Sequence, residues 1–203
     1  MAPKVTQQYR KEVRDRILSA AEKLFSSKGY YDTSMDEVVA ESGLSKGTIY
    51  LYFRSKEDLF VGLQDRQLKE SVTVLESAFA PGDSARTKLE KVIGTAFGSM
   101  VNASRRSCRI SLEFNVAAPR MKSVQRRRDE RFMALHGFLA EIIKEGVEKG
   151  EFRRDVDPNQ TALILMAMAD GLSLDWATTN LEFDWKGLTD QVGEMVMKGL
   201  PTR

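Results

Sequence analysis

Apolar residues recur along this chain in steps of three and four positions, the spacing that places side chains on one face of an α-helix. The first such stripe ends at Phe25, just before Lys28 and Gly29, which suit the end of a helix. Turn signals such as Pro81-Gly82 separate the later stripes. The pattern therefore predicts an all-α chain, with helices over residues 13–28, 35–42, 45–53, 55–80, 85–103, 108–117, 121–149, 159–180 and 185–200.

Residues 34–53 have the local chemistry of two short helices joined by a tight turn. Ser34 and Glu37 are spaced to form a capping box, and Gly43 suits the left-handed position that follows a helix end. Ser45 is a good N-cap for the second helix, which turns Ile49 and Phe53 inward. Two such helices joined through a glycine form a helix-turn-helix.

The outward positions of the second helix carry groups that suit a polyanion. Lys46 can reach a phosphate or a guanine edge, and Thr48 offers a hydroxyl and a methyl group to base edges. Tyr50 and Tyr52 each carry a phenol that can donate to a phosphate oxygen. The alternative is that these are ordinary surface side chains. We predict DNA contact by Thr33, Ser34, Ser45, Lys46, Gly47, Thr48, Tyr50, Tyr52 and Lys56, the last in the first turn of a helix capped by Ser55 and Asp58.

Residues 10–60 resemble the DNA-binding domain of the tetracycline-repressor (TetR) family of bacterial and archaeal regulators. The resemblance lies in Ile17-Leu18-x-x-Ala21-x-x-Leu24-Phe25, in Gly29-Tyr30, in Thr33-Ser34-Met35-Asp36-Glu37-Val38 and in the continuous stretch from Gly43 to Phe53 with Lys56-Glu57-Asp58-Leu59 after it. It implies a three-helix DNA-binding head at residues 1–54 and an effector-binding and dimerisation body at residues 55–203. It also implies a two-fold four-helix interface built from the last two helices.

The predicted helix over residues 159–180 is apolar on nearly all sides, so nearly every side must be buried. In a body this small, we expect it to pack both on its own chain and on a second copy. The alternative is a monomer with a thick core. A symmetric dimer would present two heads to a palindromic operator in double-stranded DNA.

Bulky, soft side chains on several helices of the body predict a pocket for a small apolar or amphipathic effector, although such residues also build ordinary cores. His136 could bond a ligand or a nearby carbonyl, and Asp170 could bind a polar ligand atom or pair with Arg109 or Thr161. The candidate ligand-binding residues are Phe97, Met100, Phe114, Phe132, Met133, His136, Met166, Asp170 and Trp176. The basic run over residues 120–131 is either a solvated face or a site for the phosphates of an acyl-CoA.

Composition limits the other classes of function. The 31 Lys and Arg residues against 29 Asp and Glu give a net charge of +2, so any attraction to DNA must be local. The basic N-terminal arm is either such a local site or a solvated tail. The longest apolar run, residues 162–169, is shorter than the roughly twenty residues of a membrane span, and the N-terminus has no apolar signal segment. One cysteine, Cys108, fits a reducing cytoplasm.

Catalysis is not expected. Cys108 as a nucleophile would need a base, and His136, the only histidine, lies on another predicted helix in an apolar setting. One His and one Cys do not make a metal site, and no glycine motif for phosphates is present, so no cofactor is predicted. The sequence instead predicts a homodimeric transcriptional repressor released by a ligand. The alternatives are a fatty acyl-CoA-responsive regulator of lipid metabolism and an architectural DNA-binding protein without an effector.

Overall fold

The computed structural model describes residues 6–102 and 105–200, and the all-α prediction is confirmed. The helices lie within about two residues of most of the predicted bounds, because caps and turn residues mark many of their ends. They are α1 Gln7–Lys28, α2 Met35–Ser42, α3 Lys46–Tyr52, α4 Lys56–Ala78, α5 Ala85–Asn102, α6 Arg105–Ala117, α7 Lys122–Glu148, α8 Pro158–Thr178 and α9 Trp185–Gly199, with a 3₁₀ turn at Ala118–Arg120.

Local capping chemistry explains the start of α8 and α9. Asp157 accepts the N–H of Gln160 at 3.0 Å, and Pro158 fills the first position of α8, where its missing N–H costs nothing. Asp184 caps α9 in the same way by accepting the N–H of Gly187 at 3.0 Å. These carboxylates lie at the positive ends of the helix dipoles, which adds to the stabilisation of each start.

The first of two compact units consists of residues 1–67 and 109–127. Its core is formed by apolar side chains from the first four helices together with residues of α6 and α7. The buried members include Ile17, Leu18, Phe25, Ile49, Phe60, Ile110, Phe114 and Val124. Unit 1 therefore contains the predicted helix-turn-helix, but also a segment that follows it in sequence by more than forty residues.

The second compact unit consists of residues 68–108 and 128–203. Helices α5 and α9 pack extensively on each other, and α7 and α8 complete the core. Its buried side chains include Leu89, Ile93, Ile143, Phe152, Ala162, Leu165 and Val192. Helix α4 continues from unit 1 into unit 2, as the sequence predicted for the helix leaving the head. The predicted functional division at residues 54 and 55 does not coincide with these packing units, and it stays a prediction.

Candidate nucleic-acid interface and ligand site

Helix α2 is fixed at both ends by the predicted bonds. Ser34 and Glu37 form the capping box, in which the Glu37 carboxylate accepts the Ser34 N–H at 2.8 Å and the Ser34 hydroxyl accepts the Glu37 N–H at 3.3 Å. Gly43 has a φ of 63°, the left-handed conformation expected after the helix. Arg16 of α1 donates to the Ser42 carbonyl at 2.7 Å, so one of the carbonyls left free at the end of α2 has a partner.

Helix α3 is held against the core by the two residues predicted to point inward. Ile49 and Phe53 are both buried, and the Ser45 hydroxyl accepts the Thr48 N–H at 3.1 Å to cap the helix. The Ser45 and Thr48 hydroxyls also lie 2.8 Å apart and share a hydrogen bond. One face of α3 therefore packs on the core of unit 1, and the opposite face is exposed.

The exposed face of α3 presents a cation, a phenol and an aliphatic side chain. Lys46 lies at the tip and forms an ion pair of 2.7 Å with Asp36 of α2, a hydrogen bond that raises the pKa of the lysine. Tyr50 is 40% exposed, whereas Tyr52 is half-buried against the core of unit 1. A Cβ added to Gly47 would meet only the Ser45 hydroxyl, at 3.9 Å, so the surface beside it is open.

Leu51 is the residue of this face that the sequence reasoning missed. Its side chain is 83% exposed, the largest exposed fraction among the bulky apolar residues that the structure describes. Because Ile49 and Phe53 both point inward, the residue halfway between them in a helix points outward. The helical spacing of Ile49 and Phe53 therefore carried the signal that could have found Leu51. Tyr31, before α2, is also exposed and was not predicted.

The assignment of Lys56 to a DNA phosphate disagrees with its geometry. Its ammonium donates to the carbonyls of Tyr30, Tyr31 and Thr33 at 2.8, 3.1 and 2.8 Å, and it lies 4.5 Å from the centre of the Tyr30 ring. Burial lowers the pKa of this lysine. The three donors of the ammonium are thus occupied by the loop between α1 and α2. Lys56 holds that loop and is not positioned to reach outward.

Thr33 is likewise an internal residue. It is 2% exposed, and its hydroxyl donates to the Gly29 carbonyl at 2.8 Å, so its side chain closes the loop between α1 and α2. Ser34 remains exposed, although its hydroxyl is used in the capping box. Of the predicted DNA-binding set, the structure brings Ser45, Lys46, Gly47, Thr48 and Tyr50 together on one surface.

The predicted ligand-binding residues do not form one group. Phe114 is 2% exposed and packs on Phe60 in the core of unit 1, with ring centres 5.3 Å apart. Met133 is on the surface of unit 2, and Trp176 is buried edge-to-face against Trp185. Phe97 and Met100 lie outside the residues whose side chains are described. Phe114 thus belongs to the core of unit 1, whereas Met133 and Trp176 belong to unit 2.

Four members of the set lie on the adjoining parts of α7 and α8 in unit 2: Phe132, His136, Met166 and Asp170. The His136 ring stacks on Phe132, and its Nε2 lies 3.0 Å from the Asn159 carbonyl, to which it can donate a hydrogen bond. Neighbouring atoms withdraw the Asp170 carboxyl from water and raise its pKa, although the residue keeps exposed surface. The charges of Arg131 and Arg128 oppose that rise, whereas burial lowers the pKa of Arg131. Asp170 faces these arginines of α7, and not the partners considered from the sequence.

A shallow apolar depression of about 440 Å³ lies elsewhere on unit 2, where α8 leads into α9. None of its lining residues was predicted to bind a ligand. They are Leu172, Glu182, Phe183, Asp184, Gly187 and Leu188.

Two other kinds of site are absent from the part of the chain that the structure describes. No helix there is long and apolar enough to cross a membrane. No group of three or more His, Cys, Asp or Glu side chains there is arranged to hold a metal ion.

A short exposed helix beside a capped partner helix, both packed on the core of unit 1, is the arrangement of a helix-turn-helix DNA-binding regulator. The chain belongs to the TetR family: the model of the bacterial regulatory proteins of the tetR family matches residues 17–63, and that of the BetI-type transcriptional repressor C-terminal region matches residues 85–201. Members of this family are transcriptional regulators and not enzymes.

Similar proteins span more than nine-tenths of the chain. The fatty acid metabolism regulator protein of Bacillus subtilis is 23% identical over 91% of this chain and 94% of its own length. The structure of a transcriptional regulator FadR from Bacillus subtilis in complex with stearoyl-CoA has a TM-score of 0.79 at 22% identity, covering 91% of this chain and 98% of that one. A regulator from Saccharomonospora viridis in complex with choline has a TM-score of 0.81 at 21% identity, covering 95% and 100%.

Proposed function

We propose that this chain is a homodimeric transcriptional repressor that binds a palindromic operator through α3 and leaves it when a small apolar or amphipathic ligand binds. The observation that carries the proposal is the exposed surface of α3, where Lys46, Tyr50 and Leu51 project from a helix fixed by Ile49 and Phe53. A lysine suits phosphate or guanine, and an exposed leucine suits the methyl group of thymine.

Selection of duplexes from a random pool tests the DNA contact. Thr48→Ala and Leu51→Ala are expected to relax the choice of particular base pairs, since their side chains suit base edges. Lys46→Met is expected to weaken binding to all sequences and to reduce its salt dependence, as removal of a cation that neutralises a phosphate would. Thr48→Ala and Leu51→Ala variants that keep the wild-type preference would contradict the assignment of base reading to α3.

Homodimerisation is supported by a stripe of exposed apolar and small residues along α8. Leu163, Ala167, Gly171 and Leu174 are all exposed in the single chain and follow each other at steps of four, four and three. A contiguous apolar surface of this kind typically marks an interaction site, and small residues at its centre permit close approach of a second helix. Met195 of α9 is also exposed.

Sedimentation of the purified chain tests this interface. Leu163→Glu places a charge in the stripe and is expected to give a monomer. Val74→Glu is the matched control, because Val74 is a similarly exposed aliphatic residue on α4, away from the stripe in sequence. A Leu163→Glu protein that sediments as a dimer, or a wild-type monomer at micromolar concentration, would contradict the proposal.

Ligand release requires the effector to bind more tightly to the conformation that does not fit DNA, because a ligand shifts an equilibrium only through its differential affinity. The region around Phe132, His136, Met166 and Asp170 is our candidate for this site. It combines aromatic and thioether surface with the charges of Asp170 and Arg131.

A second candidate function is regulation of lipid metabolism by a fatty acyl-CoA. It is favoured by the stearoyl-CoA bound to a structural neighbour and by the exposed basic run on α7, where Arg126, Arg127 and Arg128 are all exposed. Release of the selected operator should be compared for stearoyl-CoA, stearate and coenzyme A. Release by stearoyl-CoA alone would support this function. If none of the three releases the operator, the fatty acyl-CoA function is contradicted and the effector is another ligand. If no small molecule releases it, an architectural DNA-binding role is favoured.

A further inference from the structure

The loop between α1 and α2 is held by two residues that come from other helices. Glu113 of α6 accepts the N–H of Tyr30 at 2.6 Å. Lys56 of α4 occupies the carbonyls of Tyr30, Tyr31 and Thr33. One carboxylate therefore accepts a backbone N–H of this loop, and one ammonium donates to three of its carbonyls.

The environment of Glu113 shows that its contact is built into unit 1. Its helical neighbour Phe114 is buried against Phe60, and Phe60 in turn stacks on Tyr30 with ring centres 4.5 Å apart. Gly29 leaves room for the carboxylate, since a Cβ at that position would lie 3.0 Å from the Glu113 Oε1. A hydrogen bond from an amide to a carboxylate is roughly twice as strong as one between neutral groups.

The loop leads directly into α2, the helix that supports α3. Thr33 closes the loop and Ser34 caps α2, so a change in the path of residues 30–33 would move the start of that helix. Glu113 lies 83 residues from Tyr30 in sequence and outside residues 17–63, which match the DNA-binding family model. Its carboxylate nevertheless fixes one end of the helix-turn-helix.

We infer that Glu113 is a positioning residue for DNA binding: it holds the loop between α1 and α2 in the path that aligns α2 and α3 with the duplex. This inference rests on the proposed DNA contact through α3. It assigns no DNA contact to Glu113 itself. The DNA-binding head is thus completed by α6, a helix that a division of the chain after residue 54 would assign to the body.

The test uses the full chain with Glu113→Ala and Glu113→Gln. Alanine removes the acceptor, and operator affinity is expected to fall about tenfold, as when a part-buried donor loses a charged acceptor. Glutamine still offers a carbonyl oxygen to the Tyr30 N–H and should restore affinity to within about twofold. Val116→Ala is the matched control on the same helix. Because Val116 is exposed, the Val116→Ala protein should bind DNA as the wild type does.

Two further readouts separate positioning from simple loss of fold. If α2 and α3 are misaligned, the protein neutralises fewer phosphates. The slope of log affinity against log salt should then become shallower by about one for each phosphate that is no longer neutralised. A smaller folded fraction would leave that slope unchanged. Hydrogen exchange of the Tyr30 amide should be faster in Glu113→Ala and restored in Glu113→Gln. Hydrogen exchange needs no DNA, so it tests the bond between the Tyr30 N–H and Glu113 even if the proposed function is wrong.

Three results would overturn the inference. The first is a Glu113→Ala protein with wild-type affinity and salt slope. The second is a Glu113→Gln protein as impaired as Glu113→Ala. The third is a loss of affinity with an unchanged slope and unchanged exchange of the Tyr30 amide.

Discussion

Replacing Lys56 by methionine should destabilise the protein without removing a DNA contact. Methionine keeps an unbranched apolar stem, so the change removes little more than the ammonium. The ammonium donates to three loop carbonyls at 2.8–3.1 Å and lies 4.5 Å from the centre of the Tyr30 ring. Each of these interactions is intramolecular, and together they join the start of α4 to the loop between α1 and α2.

The magnitude follows from the bonds that the ammonium makes and from their exposure to water. A hydrogen bond to a charged group contributes about 1.5–3 kcal/mol when well buried, and the cation–π interaction about 0.5–2 kcal/mol. Because Lys56 is only half-buried and water can reach some of the carbonyls, we expect the free energy of unfolding to fall by about 2–3 kcal/mol in total. For a chain of this size that corresponds to a fall in Tm of roughly 4–12 °C.

The assay compares Lys56→Met with Lys46→Met by thermal unfolding and by operator binding. Lys46 forms an exposed ion pair with Asp36, so its replacement should leave Tm nearly unchanged while weakening DNA binding. Lys56→Met should instead lower Tm clearly, and because Lys56 holds the same loop as Glu113, its operator affinity should also fall at temperatures where it remains folded. A Lys56→Met protein with the wild-type Tm and with weaker, less salt-dependent operator binding would refute this reasoning. It would indicate that Lys56 contacts DNA.

Two further predictions concern packing and pH. In Gly146→Ala the new Cβ would overlap the buried ring of Phe152, so we expect the free energy of unfolding to fall by about 1–3 kcal/mol in thermal unfolding. Gly137→Ala lies in the same helix, where a Cβ meets no atom within 4 Å, and should raise the free energy of unfolding by about 0.5–1 kcal/mol. Equal effects of the two substitutions would contradict this packing. A hydrogen bond from Lys28, with those from Ser34, lowers the pKa of Glu37 from 4.5 to about 2. The stabilisation by ionised Glu37 is therefore complete above about pH 4.5 and disappears as the pH falls to about 2. The wild type should have a higher Tm than Glu37→Gln at the upper end of that interval and the same Tm at the lower end. A higher Tm of the wild type that persists at the acid end would refute the assigned ion pair.

The features that could be predicted from the sequence are those whose chemistry is local. Ser34 with Glu37, and Gly43 after them, specify the ends of α2 through bonds to residues only three or four positions away. The inward direction of Ile49 and Phe53 follows from helical spacing alone. The helix order and most helix bounds followed for the same reason.

The features that could not be predicted depend on interactions between distant residues. Lys56 was assigned outward because its position in the first turn of α4 is compatible with phosphate, and only the fold shows the loop carbonyls of residues 30–33 beside it. Phe114 was grouped with the ligand site as one of several bulky side chains on different helices of the body, yet it packs with Phe60 in unit 1. The role of Glu113 has no sequence signal, since its partner Tyr30 lies 83 positions away.

The most direct test of the central claim is the stoichiometry of the DNA complex. Sedimentation of the wild-type chain should be measured on a selected duplex with two inverted half-sites and on the same duplex with one half-site scrambled. We expect a complex of at least two chains on the intact duplex and a large loss of affinity on the scrambled one. When one head of a dimer binds its half-site, the second head is held near the other half-site at a high effective concentration. One chain per duplex, with equal affinity for both duplexes, would contradict it.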